Sequence, residues 1–172
     1  MEPLGVWDRE KLELIEGELI TKMPKKRRHI NSLTLLNVWL SGIFGGYVLQ
    51  FEAAINVAPQ DNPTSEPEPD IVVLSKPVSD FRTGNPEPAD IRLLIEISDT
   101  TLAFDRITKA GLYARAGISD YWVLDVANHQ LYVHRFPDGG RYTQVEVYNE
   151  SESVAPLAAP NSPFPVGEAF RT

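Results

Sequence analysis

Hydrophobic and polar positions change their spacing several times along this chain, and each change marks an element. Residues 11–15 (Lys-Leu-Glu-Leu-Ile) and 18–22 (Glu-Leu-Ile-Thr-Lys) alternate apolar with polar around Glu16-Gly17. Two short strands on an x-Gly pair predict a hairpin, because Gly takes the positive φ of a tight turn. From His29 to Phe44 the spacing becomes three and four. Ile30, Leu33, Leu36, Leu40 and Phe44 form one stripe, widened by Leu35, Val38, Trp39 and Ile43. The spacing predicts a helix buried around much of its circumference and ended by Gly45-Gly46. Alternation returns over Tyr47–Val57, a predicted strand with Phe51, Ala53, Ile55 and Val57 on one face and Glu52 on the other.

Residues 58–69 lose all periodicity and are rich in Pro, Asn, Asp and Glu, which predicts a loop. Asp70 then opens the apolar run Ile71–Leu74, a buried strand. A second polar loop spans residues 77–88. Ile91–Ser98 is the central strand, with Ile91, Leu93, Ile95 and Ile97 on one face and Arg92, Leu94 and Glu96 on the other. Asp99-Thr100-Thr101 suits a helix start, and the helix runs to about Ala116 before Gly117. A strand over Asp120–Val126 follows. Gln130–Phe136 and Arg141–Tyr148 pair as a hairpin across Pro137-Asp138-Gly139-Gly140. The order of hairpin, helix, three strands, helix and further strands predicts an α/β (α+β) fold, a sheet with helices on at least one face. Residues 1–150 are read as one domain. Residues 151–172 are read as an extended Pro-rich tail, draped on the body near Phe164 and Phe170.

Bulk properties narrow the chemistry. A length of 172 residues suffices for one real core, and 42% hydrophobic with 23% charged residues is ordinary for a globular protein. With no Cys there is no disulfide, thiolate metal site or thiol nucleophile. No signal-peptide pattern or membrane-length apolar run stands out, so the expectation is a soluble, cytoplasmic protein without a membrane partner. A net charge of −8 argues against a nonspecific nucleic-acid binder, though a local basic patch can coexist with an acidic remainder.

The candidate chemistry lies between Pro67 and Lys109. A carboxylate on a core strand costs several kcal/mol unless it is paired or binds a cation. Asp70 and Glu96 sit in or beside such strands, and side by side they would repel unless a cation lay between them, so they read as two ligands of a divalent metal. Blander readings remain open. Asp70 can be an ordinary strand-start carboxylate, and Glu96 can pair with Arg92 on its own face. Asp105 and Lys109, four apart, can form a helix-surface pair worth about 0.3–0.5 kcal/mol, with Tyr113 one turn on. The run Lys25, Lys26, Arg27, Arg28 is either a solvated loop or a phosphate-facing, nucleic-acid-binding patch.

Three segments carry a resemblance. Pro69-Asp70, Glu96-Ile97-Ser98 and the stretch from Asp105 to Asp125, most specifically its Tyr113-Ala114-x-x-Gly117-x-x-x-Tyr121-Trp122, resemble the Uma family of restriction-endonuclease-like proteins within the PD-(D/E)XK nuclease superfamily. Glu16-Gly17-Glu18-Leu19 and His29 also fall where that family's hairpin and helix begin, and the likeness covers roughly Leu12 to Val147. It implies a restriction-endonuclease-like mixed central sheet flanked by helices, and a Mg- or Mn-dependent endonuclease, a hydrolase of phosphodiesters in DNA. By that likeness Asp70, Glu96 and Lys109 are catalytic, and Asp70, Glu96 and the Ile97 carbonyl bind the metal. Ser98 stands where the superfamily places its lysine, and Lys109 on the next helix would supply the amine instead. Glu18, His29, Glu52, Asp105 and Tyr113 are secondary candidates, and His129 and His134 receive no role. The alternatives are an inactive nucleic-acid- or protein-binding module of the same fold, or a structural protein in which the acids are merely salt-bridged. Analogy with related nucleases implies a homodimer.

Overall fold

A computed structural model describes residues 11–171. The first ten residues of the 1–150 domain, on which the signal-peptide expectation rests, lie outside the described residues, as does Thr172. The hairpin is present as β1 (Leu12–Ile15) and β2 (Glu18–Thr21), paired antiparallel around Glu16-Gly17. Both turn residues have positive φ, 49° and 83°, the conformation of the tight turns that match strand twist. Helix α1 (Arg27–Phe44) ends at Gly45, whose φ is 82°. A narrower stripe than the spacing suggested is fully buried on it: His29, Ser32, Leu36 and Leu40. Ile30 and Val38 are instead 38% and 69% exposed.

The predicted strand over Tyr47–Val57 shrinks to β3 (Leu49–Phe51). Glu52 has φ 48°, which turns the chain out of the ladder, and the Gln50 side chain donates to the carbonyls of Ala53 and Ala54, each at 3.2 Å. β4 (Ile71–Leu74) and β5 (Ile91–Ser98) follow as read from the apolar runs. Helix α2, residues 102–115, is continuous but irregular. A first α-helical turn (Leu102–Phe104) leads into a π-helical turn (Asp105–Lys109) and then a second α-helical segment (Ala110–Arg115). Gly117, at φ 75°, ends it. β6 (Asp120–Asp125) runs parallel to β5, and the hairpin β7 (Gln130–Asp138) and β8 (Arg141–Asn149) completes a six-stranded mixed sheet in the order β3-β4-β5-β6-β7-β8.

The two sheet faces have different covers. Leu93, Ile95, Ile97, Trp122 and Leu124 pack with Leu36 and Leu40 of α1. Val72, Leu94, Tyr121 and Val123 pack with Leu112 and Tyr113 of α2 and with Ile15 of the N-terminal hairpin. The segment after β8 is folded onto the body: β9 (Ser153–Val154) pairs β10 (Phe164–Pro165), and a 3-10 turn (Val166–Phe170) lies along α1. Val154, Phe164, Val166 and Ala169 are buried in the α1-side core, and Ser32 Oγ donates to the Ala169 carbonyl at 2.7 Å. Among the described residues no helix is long and apolar enough to cross a membrane.

Candidate active site

In the antiparallel register of β4 and β5, Ile71 faces Ile95 and Val72 faces Leu94. One step beyond the last pair stand Asp70 and Glu96, at the end of β4 where the sheet opens. The Ile97 N–H donates to Asp70 Oδ2 at 2.7 Å. An N–H and C=O on one strand residue point to the same neighbour, so the Ile97 carbonyl also faces the Asp70 edge. Glu96 shares its sheet face with Leu94 and Ser98, the face covered by α2. Arg92 is exposed, and the described ion pairs of Glu96 do not include it.

Helix α2 meets Glu96 from above. Lys109 Nζ lies 2.9 Å from Glu96 Oε1, and the Tyr113 hydroxyl donates to the same oxygen at 2.8 Å. The π-helical turn separates Lys109 from Asp105, so the predicted surface pair between them is replaced. Lys109 is buried, facing Glu96 and, from β1, Glu13 Oε1, also at 2.9 Å. Asp105 is buried too, and its Oδ2 accepts the hydroxyls of Ser98 and Thr101. Ser98, with a short side chain, thereby ties β5 to α2.

Asp70 is approached from the other side. His29 Nε2 on α1 and Lys25 Nζ each stand 3.4 Å from its Oδ1. Among the described residues His29 Nδ1 is buried without a hydrogen-bond partner. Lys25 also pairs with Glu52, which reaches the site only through that amine. Arg28 pairs with Asp99, and Lys26 Nζ is 3.9 Å from it. The four basic residues thus stand at the start of α1, Lys25, Lys26 and Arg28 against carboxylates and Arg27 exposed. A cavity of about 220 Å³ opens among these groups, lined by Glu13, Lys25, His29, Asp70, Glu96 and Lys109. Glu18 is exposed on β2 and does not line it.

Electrostatics divide the two strand acids. Burial opposes ionisation of Asp70, but hydrogen bonds from His29 and Ile97 and the charges of His29 and Lys25 outweigh it and hold the acid at about 2. Burial pushes Glu96 up to about 8. The Lys109 charge works against that rise, and repulsion from Asp70, Asp105 and Glu13 adds to it. Burial disfavours the Lys109 cation, yet Glu96, Glu13 and Asp105 raise its pKa further than burial lowers it, so it stays an ammonium. Burial and then the Glu96 charge keep the Tyr113 phenol neutral, as a donor must be.

Glu13, Asp70, Glu96 and Asp105 are all buried about the cavity, and the buried Lys109 ammonium pairs with Glu13 and Glu96 while His29 and Lys25 face Asp70. Among the described residues no three His, Asp or Glu side chains converge as a ready chelate. Any cation would be held by two carboxylates, a carbonyl and water, a hard-oxygen set that suits Mg²⁺ or Mn²⁺, which keep several waters when bound. Asp70 and Glu96, side by side at the strand ends with the Ile97 carbonyl beside them, fit such an ion. Glu13 escaped the sequence reading because Leu12 and Leu14 suggested the inward face of β1. The face that is buried carries Glu13 and Ile15, and the polar loop Pro67–Asp70 opposite was the only hint.

No curated protein matches this chain. A similar solved structure is a protein from Anabaena variabilis ATCC 29413 described as a "putative nuclease belonging to DUF820", 17% identical, with a TM-score of 0.67 over 94% of this chain and 90% of that one. At that identity the likeness establishes the fold. A family model described as "Putative restriction endonuclease" matches residues 4–166, nearly the whole chain, and with the nuclease-type fold already built from its strands, this chain belongs to the Uma2 family.

Proposed function

We propose that this chain is a metal-dependent nuclease that hydrolyses phosphodiester bonds in DNA, with Asp70, Glu96 and Lys109 as its catalytic groups. The observation that carries the reading is the meeting of two buried strand carboxylates and one buried ammonium on the wall of a single cavity. Asp70, Glu96 and the Ile97 carbonyl would hold Mg²⁺ or Mn²⁺. Such an ion, when bound, activates the attacking water as a Lewis acid and offsets charge building on the phosphate.

The chain's own residues do the rest. Lys109, held by two carboxylates, acts as a fixed positive charge facing the reacting phosphate rather than as a proton acceptor, because an amine so paired does not give up its proton. Tyr113 fixes the orientation of Glu96 through Oε1. His29 and the Ile97 N–H hold Asp70 ionised and in place. Arg27, with Lys25, Lys26 and Arg28, stands at the start of α1, where free helix N–H groups add to the pull on a phosphate. Ser98 in the superfamily's lysine position favours a second reading, a DNA-binding module of the same fold without turnover.

One experiment separates them. The purified protein should nick supercoiled plasmid with Mn²⁺ or Mg²⁺, and Asp70→Ala and Lys109→Ala should each abolish nicking. A gel shift of DNA with the metal chelated, and no nicking under any metal, would instead establish the inactive module. Mn²⁺ should also raise the melting temperature of the wild type and not of Asp70→Ala, since an ion bound only by the folded state stabilises it.

A further inference from the structure

Glu13 is a buried acid that the mechanism above uses only to hold Lys109 protonated. It is 3% exposed, on a strand that pairs with β2 and bridges to Glu66 through Leu14, and it comes to the site from outside the main sheet. Its Oε1 accepts the Glu68 N–H at 2.8 Å and stands 2.9 Å from Lys109 Nζ. An inward position of a two-stranded hairpin would ordinarily carry an apolar residue, as Ile15 does two places on. Here it carries an acid that costs hydration, offset among the described residues by that backbone donor and that ammonium.

The Lys109 ammonium is therefore shared evenly, at 2.9 Å from Glu13 Oε1 and 2.9 Å from Glu96 Oε1. Both described hydrogen bonds to Glu96, from Lys109 and Tyr113, end on Oε1. An ammonium and a divalent cation compete for the same carboxylate charge. Were Glu13 neutral, the pull on Lys109 would be one-sided, and the amine would move onto Glu96 and cover both its oxygens. We propose that Glu13 is a positioning residue: it takes half of the Lys109 ammonium, fixes that amine beside Glu96 Oε1, and leaves the second Glu96 oxygen to the cation. This rests on the metal-dependent reading above.

The test uses Glu13→Gln, which keeps an oxygen for the Glu68 N–H, together with Lys109→Met and the double variant. In metal-free protein labelled with ¹⁵N-lysine, the Lys109 ammonium signal, assigned by its loss in Lys109→Met, should shift or broaden in Glu13→Gln. An unchanged signal overturns the proposal. In Mn²⁺ titrations followed by electron paramagnetic resonance, Glu13→Gln should bind the ion about 10-fold more weakly or worse, as loss of an outer-shell partner does. The double variant should bind like Lys109→Met alone, because no amine is left to move. A Glu13→Gln loss that persists undiminished without Lys109 means that Glu13 acts on the ion directly, and the proposal falls. Wild-type protein that binds no Mn²⁺ sinks the metal-dependent reading and the cation half of this proposal, while the ammonium signal still decides the positioning half.

Discussion

Burial raises both of two carboxylates that face each other across a strand pair, but their partners leave Asp70 low and Glu96 high, and pH exposes the difference. Glu96, at about 8 in the folded chain against an ordinary 4.5, keeps a proton that the unfolded chain has lost. Folding therefore takes up a proton across that window, and stability falls as pH rises from about 4.5 to about 8. Asp70 has the opposite sign. Its contribution is complete above 3.8 and lost as pH falls through about 2. With metal chelated, the melting temperature should decline between pH 5 and 8, and Glu96→Gln should flatten that part of the profile; equal slopes in both proteins would refute the assignment. Lys109→Met should lower cleavage about 10²–10³-fold, as loss of one transition-state charge contact does, with little change in KM for DNA. Asp70 and Glu96 were legible because strongly apolar neighbours leave an acid no solvent to face. Lys109 was legible only through family likeness, since its spacing from Asp105 equally fits a surface pair. Glu13 was not legible, because the alternation of β1 can be read from either face and only the docked loop decides.

At the scale of elements, the π-helical turn of α2 is what turns a common i,i+4 pair into two separate tasks. In a regular helix Asp105 would lie under Lys109 and neutralise it. The wider turn sends Asp105 to the hydroxyls of Ser98 and Thr101 and Lys109 to Glu96 and Glu13. π-Helical turns inside α-helices gather at functional sites, and nothing in the spacing of residues 102–115 announces one. Ile107, 73% exposed within the turn, packs on little, so its deletion tests the turn with little loss of core. That deletion should restore regular pitch, keep the helical circular dichroism, and break the Ser98 and Thr101 bonds to Asp105 at a cost of about 1–3 kcal/mol. A variant as stable and as active as wild type would mean that the turn is incidental. The same logic explains where element reading failed earlier in the chain. Alternation over Tyr47–Val57 does send Leu49, Ile55 and Val57 into the core, but Glu52 at φ 48° ends pairing after three residues, and a positive φ at a non-glycine leaves no mark in the sequence.

For the whole molecule, two properties do not follow from any single element. The first is that residues after Asn149 complete the core: Phe164 is 1% exposed, with its ring centroid 4.7 Å from that of Trp39 on α1. Phe164→Ala should cost about 3–5 kcal/mol, read by urea unfolding, and a loss below 1 kcal/mol would mean that the segment rests on the surface without supporting it. The second is charge. Under the proposed function, a chain of net −8 approaches a like-charged polymer through a small region. At physiological salt the screening length is about 8 Å, so the distant acidic surface counts for little and the groups at the start of α1 decide the encounter. Lys25 and Arg28 already face Glu52, Asp70 and Asp99, and Lys26 stands 3.9 Å from Asp99 with an exposed side chain, which leaves Arg27 and in part Lys26 to displace counterions. The logarithm of DNA affinity should therefore fall with the logarithm of salt at a slope of about −1 to −3, shallower than four free phosphate contacts would give. Arg27→Ala should flatten that slope by about 1. A slope of about −5 or steeper would locate the DNA on a larger basic surface, away from the cavity that holds Asp70 and Glu96.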